Sequence, residues 1–276
     1  MNDERRPPST FKVYFRIMVH SAQLKAYLMP NSYFQFKEFT VYQERCVMKV
    51  TTDACLFGAW VAQDVQCDPG SQEANPINVL DVGTGTGLLT LMFAQKNAST
   101  VIDAVEIDQE SYEQAKENVA ISPYADHIQV IKGDAKAFSS SKKYDLVISN
   151  PPFYEKELTS CDQKKNIAHH DAGLLLEEIF SIIKTNLSAE GMFYLLLPFK
   201  RNEEIKKMLF RENLFVSKVV FVRQSTNHDY FRMMVSGKLS NVNDSETVID
   251  EISVWDDQQQ YTEQFKQLLQ PYYLYL

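Results

Sequence analysis

The residues with the clearest chemical potential form a glycine-rich loop that begins with an acid. Asp81 is followed at alternate positions by Gly83, Gly85 and Gly87. Glycines in a strand-to-helix turn let the backbone approach a ligand closely, and the N–H groups that open the next helix face that ligand. The spacing differs from the Gly-x-Gly-x-x-Gly loop that frames a pyrophosphate. Asp81 would repel a pyrophosphate, so the loop predicts a ligand with a cationic amino group.

Two further acids are predicted to end the next two strands. Glu106 follows the glycine loop by about twenty residues, the position at which a carboxylate accepts hydrogen bonds from both hydroxyls of a ribose. Asp134 ends the following strand pattern and can accept from the amino group of an adenine. One such acid alone is typical of a solvated loop. Three acids at successive strand ends predict a cofactor that combines adenosine with a cationic group, namely S-adenosylmethionine.

The sequence Asn150-Pro151-Pro152-Phe153 directly follows the predicted strand Tyr144–Ser149. The Asn150 side-chain oxygen and the Pro151 carbonyl can accept hydrogen bonds from the two hydrogens of an amine, which aims the nitrogen lone pair at a sulfonium methyl group. The prolines keep Asn150 extended, and Phe153 offers a face on which a base can stack. The alternative is an ordinary Pro-Pro turn. Behind the glycine loop, the motif predicts methyl transfer to an exocyclic amino nitrogen.

These motifs need a scaffold that brings strand ends together, and the chain supplies alternating strand and helix patterns. The predicted elements are strands Asn78–Val82, Val101–Ile107, Ile128–Ile131, Tyr144–Ser149 and Met192–Leu197, with helices Leu88–Gln95, Glu110–Ile121 and Leu174–Leu187. Such alternation gives right-handed crossovers and a parallel sheet. Two last strands, Lys218–Arg223 and Phe231–Gly237, are predicted to pair antiparallel because no long helix fits between them. The prediction is therefore an α/β, Rossmann-like class I methyltransferase fold with a mostly parallel seven-stranded sheet and an antiparallel end strand.

Composition limits the class of protein. The chain has 276 residues, 45% of them hydrophobic, and a net charge of -8, which predicts a packed acidic protein and argues against a dedicated duplex-DNA binder. The four cysteines, Cys46, Cys55, Cys67 and Cys161, match neither a zinc cluster nor a redox pair, so free thiols are expected. No apolar run suits a membrane helix or a signal peptide. We expect a cytoplasmic protein that is a monomer without a metal.

Residues 1–30 and residues 31–276 differ in character. The first stretch mixes charges, aromatic residues and Pro7-Pro8 without a clear period, whereas the second contains every motif described above. Residues 1–30 are therefore predicted to be either an N-terminal arm or a mis-assigned start, with Met29 as the preferred start. Residues 31–276 are predicted to form a single domain.

Two features of the sequence have more than one possible interpretation. His169-His170-Asp171 is too sparse for a metal site; it is predicted to enter the next helix, with a contact to the substrate as the alternative. Arg232 lies on the last predicted strand, and a structural role and phosphate binding are both open.

The glycine loop and the Asn-Pro-Pro-Phe motif together resemble the class I amino-methyltransferases. Additional patterns resemble one branch of that class, the bacterial tRNA(valine) adenine-37 N6-methyltransferase family, from about residue 33 to the end of the chain. The segments concerned are Phe34–Phe39, Arg45–Asp53, Gly58–Trp60, Ile102–Glu106 and Tyr272–Leu276. The resemblance implies a tRNA partner and methylation of an unpaired adenine at N6. It also implies that an N-terminal segment with Lys49, Thr52 and Asp53 covers the cofactor. Phe153 stands where that family often has Tyr, which removes a hydroxyl and keeps the ring.

Other targets and one other class of protein are the alternatives. An amino-methyltransferase can act on a protein glutamine, on guanine N2 of rRNA or on adenine in DNA. The sequence before Asp81 is short for the helical domain of a glutamine enzyme, and no target-recognition domain of a DNA enzyme is visible. A non-catalytic scaffold that binds S-adenosylmethionine would have no need of Asn150-Pro151-Pro152-Phe153.

Overall fold

The computed structural model describes residues 31–65, 76–152, 174–240 and 246–276. The strands are β1 (Tyr33–Gln35), β2 (Thr40–Tyr42), β3 (Ile77–Val82), β4 (Thr100–Glu106), β5 (Ile128–Lys132), β6 (Tyr144–Ser149), β7 (Leu187–Pro198), β8 (Phe215–Ser225), β9 (Tyr230–Lys238) and β10 (Val248–Trp255). The helices are α1 (Thr52–Asp64), α2 (Leu88–Lys96), α3 (Gln109–Ala120), α4 (Leu176–Asn186), α5 (Asn202–Arg211) and α6 (Glu263–Leu269), with short 3₁₀ turns at Ala125–His127 and Phe199–Arg201.

An eight-stranded sheet in the order β10-β8-β9-β7-β6-β3-β4-β5 forms the centre of the fold, and β1 and β2 form a separate two-stranded sheet. All neighbours in the large sheet are parallel except β9, which is antiparallel to both β7 and β8. The carboxyl ends of β3, β4, β5 and β6 therefore meet at one edge of the sheet. The predicted fold class and the predicted antiparallel pairing of the last two strands are confirmed.

The sheet differs from the prediction in two details. It has eight strands, because β10 adds an edge strand beside β8 that the hydrophobic pattern did not indicate. The residues in the first half of β10, including Asp250 and Glu251, are exposed, so the apolar signal covers only a few positions. The antiparallel strand β9 lies between β7 and β8 and not at the end of the sheet.

Among the predicted element boundaries, the start of β7 moved most. β7 begins at Leu187, directly after α4, because Leu187 pairs with Tyr144 before a register irregularity leads to the pairing of Leu146 with Met192. The predicted strand began at Met192, behind Gly191, which reads as a turn residue. Strand pairing thus continues across a glycine that sequence alone treats as a break.

Both faces of the sheet are covered by apolar helix surfaces. On one face, α1, α2 and α6 pack on the sheet through side chains such as Leu56, Leu91 and Phe265. On the other face, α4 and α5 do so through Ile179 and Ile205. These two layers hold the strand ends in fixed positions, which is what a site built on several strands requires.

Several predictions fall on residues whose structure is not described. They concern the arm at residues 1–30, the aromatic Phe153, the pair His169-His170, and the thiols Cys67 and Cys161. Cys46 and Cys55 are buried free thiols, as predicted. No helix in the described part of the chain combines the length and the apolar character that a membrane crossing needs.

Candidate active site

The glycine loop between β3 and α2 adopts the tight path that its sequence predicts. Gly83, Gly85 and Gly87 have φ angles of 74°, 59° and 82°, a region that residues with a side chain rarely occupy. The N–H groups of Gly83 and Thr84 donate to the Val105 carbonyl at 2.9 and 3.1 Å. The loop is thereby tied to the end of β4, and its position relative to the neighbouring strand is fixed.

Asp81 lies in the interior beneath this loop, with none of its surface exposed. Its Oδ2 accepts hydrogen bonds from the Thr84 and Thr90 hydroxyls, each at 2.7 Å. Its Oδ1 is buried and has no hydrogen-bond partner among the described residues. Burial raises the pKa of Asp81 to about 6, against the two threonine hydrogen bonds that lower it. A carboxylate with one free oxygen in such a place can receive a cationic donor.

Glu106 is the last residue of β4, and its carboxylate holds the glycine loop through a hydrogen bond. One carboxylate oxygen accepts from the N–H of Gly85 and the other from the N–H of Asp108, both at 2.8 Å. The residue is 7% exposed. Because a carboxylate has about four acceptor sites, two described hydrogen bonds leave capacity for two more donors, such as a pair of hydroxyls.

Asp134 occupies the turn after β5 and is more open than the other two acids, with 36% of its side chain exposed. Its Oδ1 accepts from the Lys136 N–H at 2.9 Å, and the preceding Gly133 donates to the Glu106 carbonyl at 3.0 Å. The three acids therefore lie at the ends of three neighbouring strands, β3, β4 and β5, in the order that the sequence predicts.

Asn150 and its prolines lie beside the glycine loop because β6 is the neighbour of β3. Asp81 pairs with Ile148, so the continuation of this register places Asn150 opposite Gly83. The Ser149 hydroxyl donates to the Val82 carbonyl at 2.8 Å, which ties the two strand ends together. Asn150 is half-buried and Pro151 is buried. The amide and the glycine loop therefore flank the same stretch of the sheet edge.

The segment between β2 and α1 is tied to the cofactor loop by one buried side chain. The Asn118 amide group in α3 donates to the Tyr42 carbonyl at 2.7 Å and to the Thr86 carbonyl at 2.9 Å, and its oxygen accepts from the Tyr42 N–H at 2.9 Å. Burial raises the pKa of the Cys46 thiol, which lies against Ser111, to about 11. The segment therefore lies beside the helix that follows Glu106.

The sequence patterns did not single out Asn118. Its place among the buried residues of α3, with Ala115 and Val119, is a weak signal because Ser111 and Gln114 are polar and buried there too, and its partners come from elsewhere in the chain.

The resemblance implies three residues in the segment that covers the cofactor, and their surroundings differ. These residues are Lys49, Thr52 and Asp53. The Lys49 ammonium donates to the carbonyls of Gln43 and Glu44 within its own segment. Thr52 is the exposed first residue of α1. The Asp53 carboxylate pairs with the Arg232 guanidinium at 2.8 Å, and the Asp53 side chain is 13% exposed. This ion pair gives Arg232 a structural partner, and it joins α1 to the start of β9 at the sheet edge.

Two of the segments that carry the family resemblance, Phe34–Phe39 and Tyr272–Leu276, contact each other in the structure. The backbone of Phe36 bridges to Tyr273, and the Lys37 N–H donates to the Tyr272 carbonyl at 2.8 Å. The Phe34 and Tyr273 rings lie 5.5 Å apart. The C-terminal tyrosines thus hold the N-terminal strand segment against the domain.

The known proteins that this chain resembles are methyltransferases. The methyltransferase small domain family matches residues 71–207. A tRNA1(Val) (adenine(37)-N6)-methyltransferase of Dyadobacter fermentans is 36% identical over 245 residues, covering 88% of this chain and 98% of the relative. An enzyme with the same name from Christiangramia forsetii is 37% identical over 252 residues, covering 90% of this chain and 100% of the relative.

Among solved structures, a predicted O-methyltransferase from Agrobacterium tumefaciens superposes with a TM-score of 0.57 at 15% sequence identity. The match covers 79% of this chain and 96% of that one. At this identity the likeness concerns the fold, which is the class I methyltransferase architecture.

Proposed function

The chain belongs to the family of the tRNA1(Val) (adenine(37)-N6)-methyltransferases, and from this membership we propose a role for each residue of the site. The protein is a methyltransferase that modifies N6 of adenine 37 in this tRNA. The observation that supports this most directly is the match to nearly the whole length of relatives with that activity. The Asn150-Pro151-Pro152 motif beside the glycine loop agrees with it, because an amine is the group that this motif suits. Since its substrate is a tRNA, we place the enzyme in the cytoplasm.

S-adenosylmethionine supplies the reaction with an electrophilic methyl group on a sulfonium sulfur. The acids of the described site fit this cofactor. The buried Oδ1 of Asp81 has no partner in the part of the chain that the structure describes and suits its ammonium group. Glu106 has capacity for the two ribose hydroxyls, and Asp134 for the adenine amino group. Gly83, Gly85 and Gly87 keep side chains away from the cofactor.

The N-terminal segment is proposed to cover the bound cofactor as part of one methyltransferase domain at residues 31–276. Lys49 and Asp53 are engaged with the segment itself and with Arg232, so we assign them the task of holding the segment in place. Thr52 is exposed and is the member of the three that is free to contact the cofactor. Asn118 connects this cover to the glycine loop.

Asn150 and Pro151 are proposed to orient the target amine. An exocyclic amine on adenine is a poor nucleophile because its lone pair is delocalised into the ring. Hydrogen bonds from its two hydrogens to the Asn150 side-chain oxygen and the Pro151 carbonyl favour a pyramidal nitrogen whose lone pair faces the methyl group. The two prolines hold these acceptors rigidly, and Phe153 supplies a ring for the base to stack on. Rate acceleration then comes from positioning and preorganised acceptors.

Methylation of an unmodified valine tRNA transcript tests this function. The purified protein is incubated with labelled S-adenosylmethionine and either this transcript or one in which guanine replaces adenine 37. We expect labelling of the first alone. Equal labelling of both would contradict the adenine-37 assignment, and labelling of a protein glutamine in its place would move the enzyme to another branch of the amino-methyltransferases.

A further inference from the structure

The regular pairing of β8 with β9 is interrupted at one residue of β9, and the aromatic side chain of that residue is exposed. Val222 pairs with Arg232, whereas the next residue, Arg223, pairs with Tyr230, so Phe231 is the extra residue of a β-bulge. The Phe231 side chain is 38% exposed. Bulges are common next to active sites, where they redirect a side chain. Phe231 is therefore a candidate for a contact with the substrate.

The register of the sheet shows how Phe231 lies relative to the amine motif. Ser149 pairs with Leu195, so Asn150 is level with Leu196, whose partner on β9 is Met234. Arg232 lies two residues further out, about 7 Å along the strand, and two strands to the side, about 10 Å. Phe231, the neighbour of Arg232, is thus beside and beyond Asn150 on the same edge of the sheet. A nucleotide next to a base held at Asn150 can span this distance.

The surroundings of Phe231 are rigid and suited to a base. The Arg232 guanidinium carbon lies 5.6 Å from the centre of the Phe231 ring and is anchored by Asp53 at 2.8 Å. Next to it, the Tyr230 ring packs against Phe199 at 5.2 Å. Nucleic-acid bases stack on aromatic faces and on guanidinium planes. An exposed phenylalanine with an immobilised arginine beside it offers both.

We propose that Phe231 forms a stacking platform for a base adjacent to the target adenine in the tRNA. This inference rests on the proposed function and names the part of the site that receives the RNA. The neighbouring cations are already paired, Arg232 with Asp53 and Arg223 with Glu251. The contact therefore stabilises the complex through stacking, and phosphate neutralisation contributes little to it.

Steady-state kinetics with the unmodified valine tRNA transcript test the proposal. Phe231→Ala is expected to raise the KM for tRNA about tenfold, the usual scale for the loss of one stacked base. The KM for S-adenosylmethionine and the kcat at saturating tRNA should stay within about twofold of wild type, since the platform touches neither the cofactor nor the amine. Phe231→Trp should restore the low KM because it keeps a ring.

Phe215 provides a matched control. It is 41% exposed and lies at the opposite end of the same β8–β9 ladder, where it pairs with Lys238. Phe215→Ala should leave the KM for tRNA unchanged. An unchanged KM in Phe231→Ala, or an equal rise in both variants, would overturn the platform. A rise in the KM for S-adenosylmethionine together with that for tRNA would also overturn it.

The partner base can be tested from the side of the RNA. Transcripts with an abasic nucleotide at position 36 or at position 38 remove one neighbour of the adenine at a time. With one of them, wild type and Phe231→Ala should become equally weak binders. A tenfold difference that persists with both transcripts would contradict stacking on an adjacent base. A wild-type enzyme that methylates no adenine in any of these tRNAs would instead refute the proposed function itself, and the platform with it.

Discussion

The carboxyl edge of the sheet has two halves that are built differently. The cofactor half, named for its proposed ligand, consists of the ends of β3, β4 and β5, where two of the three acids are enclosed: Asp81 is fully buried and Glu106 is 7% exposed. The acceptor half consists of the ends of β6 and β7 and the start of β9, where Asn150 is half-buried and Phe231 is 38% exposed. The first half presents buried hydrogen-bond acceptors, and the second presents a half-open amide and an exposed ring.

The two halves also differ in the range of the contacts that build them. In the cofactor half, Asp81 and Thr84 are three residues apart, and Gly85 and Glu106 are 21 apart. In the acceptor half, the ion pair of Asp53 and Arg232 joins residues 179 positions apart. The acids and the glycine loop proposed to contact a small cofactor can be supplied largely by one strand-loop-helix unit and the strands beside it. A tRNA needs a broader surface, which distant parts of the chain assemble together.

The largest effect is expected from a substitution at Asn150, in the acceptor half. Asn150→Ala should lower kcat by about a hundredfold or more, the usual loss when one preorganised acceptor is removed, while S-adenosylmethionine affinity stays nearly unchanged. Asn150→Asp keeps an acceptor oxygen and should retain more activity than the alanine variant. Calorimetric titration with the cofactor and single-turnover methylation measure the two quantities. A parallel loss of cofactor affinity in Asn150→Ala would mean that the two halves are not separable.

A smaller effect is expected from a substitution in the cofactor half, which should change cofactor binding. Glu106→Ala should weaken S-adenosylmethionine binding by about 1–3 kcal/mol, the range for lost hydrogen bonds to a charged group. Calorimetry at constant pH measures this change. Glu263→Ala is the control, since Glu263 is the first residue of α6 and its side chain is 78% exposed. Unchanged affinity in the Glu106 variant would remove this residue from the cofactor site.

The pH dependence of cofactor affinity tests the role of Asp81. Its pKa is raised by burial to about 6, so the carboxyl is neutral below that pH and charged above it. A cationic amino group binds the charged form, so affinity should fall about tenfold from pH 7 to pH 5 and level off above pH 7. Asp81→Asn cannot ionise and should bind weakly without this dependence. A wild-type affinity that is flat between pH 5 and pH 7 would rule out an ionic contact at Asp81.

The smallest effect is expected from the N-terminus. A protein that starts at Met29 should fold and methylate tRNA like the full chain, because residues 1–28 carry none of the motifs of either half. Thermal unfolding and the kcat/KM for tRNA measure the outcome. A lower kcat/KM with an unchanged melting temperature would assign an RNA contact to the arm, and the acceptor half would then extend beyond the sheet edge.

Most of the cofactor half could be predicted from the sequence. The spacing of Gly83, Gly85 and Gly87 after a buried strand predicts a left-handed turn at each glycine, and their positive φ angles agree. The positions of Glu106 and Asp134 at one edge of the sheet could be predicted because parallel strands end at a common edge. The glycine loop could be predicted because its residues lie within a few positions of one another along the chain, and the two acids because each follows a recognisable strand pattern.

Tertiary structure alone decided the rest, because it depends on which distant segments pack together. The sequence could not show that Arg232 would pair with Asp53, that Asn118 would join Tyr42 to the glycine loop, or that a bulge would expose Phe231. Strand order and register decide these contacts, and both follow from the packing of whole layers of side chains. The sequence by itself thus determined the fold class, the cofactor loop and the amine motif. The packed sheet decided how the N-terminal segment is tied to the glycine loop and which side chains lie beside Asn150 at the sheet edge.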